Sequence, residues 1–104
     1  MTKYIPEENA KLIKKLLEVC NNERENISFR IYDTESCVIY SRDIEKIIDA
    51  LDGGDEEIGI NVIDRETKSA LGWFGVLPYE DVEYMIFDHS DNDFCNNVFN
   101  KLYK

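Results

Sequence analysis

Apolar residues recur at three- and four-residue spacing in three parts of the chain, which predicts three amphipathic helices. The expected helices are residues 6–21 with Pro6 in the first position, a segment that follows an N-cap at Ser41, and residues 90–102 beginning at Ser90 or Asp91. Gly53-Gly54 is expected to end the second helix through a left-handed C-cap.

Alternating and β-branched segments predict the strands. They are residues 27–32, 37–40, 57–64 and 70–77, with residues 33–36 and 65–69 as polar turns and Pro78 closing the fourth strand. In the first strand Ile27, Phe29 and Ile31 form one face, and the polar residues form the other. Residues 82–87 are ambiguous: their alternation favours a strand, although Met85 and Phe87 leave neither face polar.

The order of these segments predicts an α+β fold, α-β-β-α-β-β-(β)-α. Short connections favour an antiparallel sheet of four to five strands, with two or three helices packed mainly on one face. The 104 residues are expected to form a single acidic domain, residues 1–104, because a second core would be hard to fit.

The charge is distributed unevenly along the sequence. The net charge is −10, and residues 1–42 hold seven acids and seven bases, so the excess lies in residues 43–104. Between Ser69 and Asn100 there are six acids and no lysine or arginine. A strongly negative field argues against direct binding of nucleic acid or an anionic membrane, since both require cations from the protein.

The second half of the chain interleaves aromatic and acidic residues. If the strand at 70–77 is central and covered on both faces, these aromatics belong to the core; if one face is open, they form a patch rimmed by carboxylates that docks a basic protein. The partner-binding candidates are Asp55, Glu56, Glu57, Trp73, Tyr79, Glu80, Asp81, Glu83, Tyr84, Asp88, Asp91 and Asp93.

The only histidine, His89, has an aspartate and a serine as direct neighbours. A catalytic triad is assembled from separate elements, so this adjacency favours a capped turn over an active site. We therefore expect no catalytic residues and no enzyme activity.

The Asp91-x-Asp93 spacing matches only the beginning of a calcium-binding loop. The sixth position, where such a loop has glycine, is Asn96, and the twelfth is Leu102 instead of glutamate. The expected state of these acids is a solvated helix N-terminus, with no metal or cofactor.

Cys20, Cys37 and Cys95 are an odd number at wide spacing, which fits neither a disulfide framework nor a zinc site. They are expected to be reduced core or near-core residues. No apolar run approaches the ~20 residues of a membrane-spanning helix, and the N-terminus lacks a secretory apolar core. A cytoplasmic location follows as an expectation.

Binding of a basic nuclease or other nucleic-acid-binding protein is the expected function. The first hypothesis is an acidic inhibitor that occupies the partner's nucleic-acid-binding surface. Small anti-CRISPR and anti-restriction proteins of phages and mobile elements are similar to this chain in size and charge. The alternatives are an immunity protein against a nuclease toxin, a non-catalytic adaptor, or a weak divalent-cation-binding module. An exposed edge or aromatic face could also form a homodimer.

Overall fold

The computed structural model describes residues 4–33, 36–52, 54 and 56–103. The elements are α1 (Glu7–Glu23), β1 (Ile27–Tyr32), β2 (Cys37–Ser41), α2 (Ile44–Leu51), β3 (Ile58–Asp64), β4 (Ala70–Val76), a short 3₁₀ helix (Val82–Tyr84), β5 (Ile86–His89) and α3 (Asp93–Leu102). The predicted α+β class and the order of elements are confirmed.

The five strands form one sheet in the order β2-β1-β3-β4-β5, and every neighbouring pair is antiparallel. β1, β3 and β4 therefore have a partner on each side, and β2 and β5 are the edges. Three of the four connections between successive strands join neighbours in the sheet, and the fourth carries the chain from β2 past β1 to β3 through α2.

The helices pack on one face of this sheet. Phe29, Ile60 and Phe74 point from the three inner strands into a single cluster with the apolar stripes of all three helices. Leu16 and Leu17 of α1 are completely buried in it, and burying a leucine stabilises a fold by about 1.5–3 kcal/mol. None of the helices in the described ranges is long and apolar enough to cross a membrane.

The predicted N-cap of α2 is wrong by two residues. Ser41 is the last residue of β2, and Asp43 caps the helix by accepting bonds from the backbone N–H groups of Glu45 and Lys46 at 3.1 and 3.3 Å. Strand pairing holds Ser41 opposite Phe29, so the helix starts only after the chain has left the sheet.

The other predicted ends of α1 and α2 differ slightly from the structure. Pro6 directly precedes α1 instead of filling its first position. Gly53 lies outside the described residues, while Gly54 donates its backbone N–H to the carbonyl oxygen of Leu51 at 3.1 Å. Thr34 and Glu35 of the predicted turn also lie outside the described residues.

The predicted start of α3 at Ser90 or Asp91 is also too early. Ser90 extends the strand pairing, since its N–H bonds to the carbonyl of Trp73 and its hydroxyl accepts the N–H of Trp73 at 3.0 Å. Asn92 is the cap: its side-chain oxygen accepts the N–H of Cys95 at 2.8 Å.

The ambiguous segment divides into a 3₁₀ helix and a strand, so the strand begins later than the alternation suggested. Asn9, a buried residue of α1, donates to the carbonyl oxygens of Pro78 and Glu80 at 2.8 and 2.6 Å. These bonds hold the chain after β4 against α1, and β5 starts only at Ile86.

Asp64 organises the turn between β3 and β4. Its carboxylate accepts the N–H groups of Glu66 and Thr67 at 2.8 and 3.3 Å and pairs with Arg24 at 2.7 Å. These backbone bonds, and then the guanidinium, hold the pKa of the Asp64 carboxyl below its ordinary value.

An Asp64→Asn substitution should therefore lower stability near neutral pH. Because the folded-state pKa is depressed, the contribution is complete above the unfolded pKa of about 3.9 and disappears as pH falls through the folded value. Urea unfolding at pH 7 and pH 3 should show the difference between wild type and variant shrinking in acid. A difference that is unchanged or larger at low pH would contradict this role.

Candidate protein-docking surface

Trp73 lies on the face of the sheet opposite to the helices. A Cβ atom at Gly59 of β3 would be 2.5 Å from the indole Nε1, and one at Gly75 of β4 would be 2.8 Å from Cη2. The ring therefore rests directly on the backbone of two strands, because both positions lack a side chain. Gly72 points to the opposite side of the sheet, because a Cβ atom there would instead meet Cys95 of α3.

A row of side chains continues from Trp73 across the sheet. Trp73 pairs with Asn61, Asn61 with Arg30, and Arg30 with Tyr40 of the edge strand. Residues directly opposite each other in antiparallel strands share a face, so all four lie on the same side. The guanidinium of Arg30 is 4.8 Å from the centre of the Tyr40 ring.

Phe87 and Asp88 extend this face onto β5. Asp88 pairs with Gly75, and an irregularity in the register places Phe87 beside the same glycine. The rings of Trp73 and Phe87 meet edge to face at 6.3 Å. His89, the next residue, points to the helix side, where its ring is 4.7 Å from that of Phe99.

We call this helix-free side of the sheet the open face. Its side chains include Arg30, Tyr32, Val38, Tyr40, Asn61, Trp73, Phe87 and Asp88. Ser28 and Ile63, which pair at one end of the same face, are buried. Val38, Tyr40 and Phe87 are 39%, 44% and 45% exposed. On β4 itself, Trp73 is partly exposed, whereas Gly75 is buried beneath the rings of Trp73 and Phe87.

Five of the predicted binding residues lie elsewhere, in the connection between β4 and β5. We call residues 79–84 the acidic loop; it contains Tyr79, Glu80, Asp81, Glu83 and Tyr84. Asp81 and Glu83 line a cleft of about 370 Å³ together with Glu8, Val82 and Tyr103. Tyr79 packs partly against the core, whereas Tyr84 is 64% exposed.

The remaining predicted residues fall at both ends of the sheet. Asp91 and Asp93 are exposed at the start of α3, and Glu56 and Glu57 are exposed just before β3. Asp55 lies outside the described residues. The acidic loop follows one end of β4 and the α3 N-terminus adjoins the other, about 20 Å away at 3.3 Å per residue. The acids therefore do not form one continuous surface.

Only Trp73 and Asp88 of the predicted set belong to the open face, with Glu57 at its border two residues before Gly59. Arg30, Tyr32, Val38, Tyr40 and Phe87 lie on the open face but are not among the predicted residues. Their signal was available in β1, where Arg30 and Tyr32 alternate with the buried Phe29 and Ile31.

The three cysteines and the histidine lie in different environments. Cys20 and Cys95 are completely buried, and this burial raises the pKa of both thiols, so they remain protonated at neutral pH. Cys37 is exposed, which corrects the expectation that it is a core residue. The Nδ1 atom of His89 is 2.9 Å from the carbonyl oxygen of Ser90.

Among the described residues, no three histidine, cysteine or acidic side chains converge in a group that could hold a metal ion. Asp91 instead accepts a hydrogen bond from the side-chain amide of Asn96 at 3.2 Å.

Fold and surface together define an α+β domain in which the helices cover one face of the sheet and no described helix covers the other. No protein-family model, curated protein or solved structure matches the chain.

Proposed function

We propose that this chain is a non-catalytic inhibitor that docks a basic protein on its open face and covers the nucleic-acid-binding surface of that partner. One observation carries the proposal: aromatic and aliphatic side chains line a sheet face that no described helix covers. Contiguous exposed apolar surface rimmed by polar groups is typical of protein-binding sites.

The charges on the sheet favour a protein partner over nucleic acid. Arg30 is the only lysine or arginine in the five strands, and its guanidinium already lies over Tyr40. A surface that reads single-stranded nucleic acid combines aromatic rings with cations that follow the phosphates. The strands of the open face have the rings, but Arg30 is their only cation.

The overall charge supports a basic partner. A net charge of −10 accelerates encounter with a cationic surface, in a manner that salt weakens. At the open face itself, Asp88 lies opposite Gly75 and next to Phe87, and Glu57 is an exposed acid two residues before Gly59. Aromatic anchors with a charged rim are the usual composition of a binding hot spot.

Capture from a host lysate tests the proposal. The tagged chain should retain a basic nucleic-acid-binding protein, and retention should fall as salt is raised. Glu57→Lys with Asp88→Lys should weaken the complex by about tenfold or more, since like charges across an interface are costly. Glu18→Lys with Glu25→Lys changes the net charge equally at exposed positions outside the open face, and should have a much smaller effect.

The identity of what is captured then decides between functions. A host enzyme that acts on DNA or RNA supports the inhibitor, whereas a toxin nuclease would identify an immunity protein. Retention that ignores salt, equal weakening by the two double variants, or self-association alone in sedimentation would contradict the proposal.

A further inference from the structure

Gly59 and Gly75 provide the space that the Trp73 indole occupies on the open face. A Cβ atom at Gly59 would lie 2.5 Å from the indole Nε1 and 3.4 and 3.5 Å from Cδ1 and Cε2, so the indole meets this glycine with its N–H edge. Phe87 stands nearly perpendicular to it, at an angle of 84° between the ring planes. We call the place where these two rings meet above Gly59 and Gly75 the Trp73 notch.

A carboxylate borders this notch. Asp88 lies opposite Gly75 and next to Phe87, and one of its oxygens accepts the N–H of His89 at 2.8 Å. This bond fixes the carboxylate on β5 and leaves its other oxygen available. Among the described residues, no lysine or arginine forms an ion pair with Asp88.

An aromatic ring near a carboxylate suits a planar cation. A guanidinium can stack on an indole while its N–H groups bond a carboxylate, whereas an ammonium is a compact, strongly hydrated point charge. The same face already holds one such contact, because the Arg30 guanidinium stacks on Tyr40 two strands away. The notch has the corresponding aromatic and acidic groups without a guanidinium of its own.

We infer that the Trp73 notch receives an arginine side chain of the basic partner, with its guanidinium stacked on the indole and paired with Asp88. The inference rests on the proposed function and specifies its chemistry: the partner presents an arginine, and lysine does not replace it. The negative charge of the chain supports a cationic occupant over a second copy of the same chain.

Trp73 is the only tryptophan, so its fluorescence reports on the notch directly. The chain is titrated at low salt with two pentapeptides that differ only in carrying two arginines or two lysines. The arginine peptide should bind about three- to fivefold more tightly, the range of a cation–π contact at an exposed site. Asp88→Asn should remove most of that preference, while Glu18→Gln, an equal charge loss on α1, should preserve it.

Equal affinity for the two peptides would overturn the inference, as would an arginine preference that Asp88→Asn leaves intact. The peptide titration requires no partner, so its result is separate from that of lysate capture. If the preference is absent but a basic protein still binds the open face, only the arginine assignment fails. If the preference is present and no basic protein is captured, the proposed function fails instead.

Discussion

A Gly72→Ala variant should be less stable than the wild-type chain by about 1–3 kcal/mol, the usual cost of overpacking a core. Gly72 faces α3, and a Cβ atom there would overlap the sulfur of Cys95. The sulfur has little room to retreat because Cys95 is completely buried and its backbone N–H is held by Asn92. Either α3 or β4 must move to accept one methyl group.

The double variant Gly72→Ala with Cys95→Ala tests this explanation. Removing the sulfur alone leaves a small cavity and should also destabilise the fold. In the double variant the new methyl group occupies part of that space, so the two losses should not add. Urea unfolding followed by circular dichroism measures all four proteins. Simple addition of the two single losses would show that the contact between β4 and α3 is not the cause.

Replacing Trp73 by alanine should weaken binding of the basic partner by about 30-fold or more, which corresponds to the ~2 kcal/mol that defines a hot spot. The indole spans two strands at the centre of the open face and supports Phe87 edge to face. Its loss exposes the backbone of Gly59 and Gly75 and removes the largest rigid apolar surface. The melting temperature of the variant, measured in parallel, separates lost binding from lost folding.

The elements of this fold were predictable because their signals are local. The stripe at Leu12, Ile13, Leu16 and Leu17 repeats within one helix, and all four side chains are buried in the structure. The ends of the helices were less predictable because tertiary contacts decide them. Ser90 has the composition of a cap, yet hydrogen bonds to Trp73 keep it in the sheet.

The site was predictable only in part, for a similar reason. The interleaved aromatic and acidic residues predicted a binding surface that includes Trp73 and Asp88, which do lie on the open face. The same pattern also placed Glu80 and Tyr84 in that surface, although they lie in the acidic loop. Asn9 draws that loop to the helix side through two hydrogen bonds across the fold. The row from Trp73 to Tyr40 depends on the register of four strands, which no single segment encodes.

The central claim is that the open face, and not the acidic loop, binds the partner. The most direct test is the dissociation constant of the captured basic protein for wild type, Trp73→Ala, Phe87→Ala and Tyr84→Ala at one salt concentration. Phe87 and Tyr84 are exposed aromatics three residues apart, one on the open face and one in the acidic loop. We predict at least about tenfold weaker binding for the first two variants, as for hot-spot residues, and a change within about twofold for Tyr84→Ala. Equal weakening by Tyr84→Ala, or wild-type affinity of folded Trp73→Ala and Phe87→Ala, would contradict the claim.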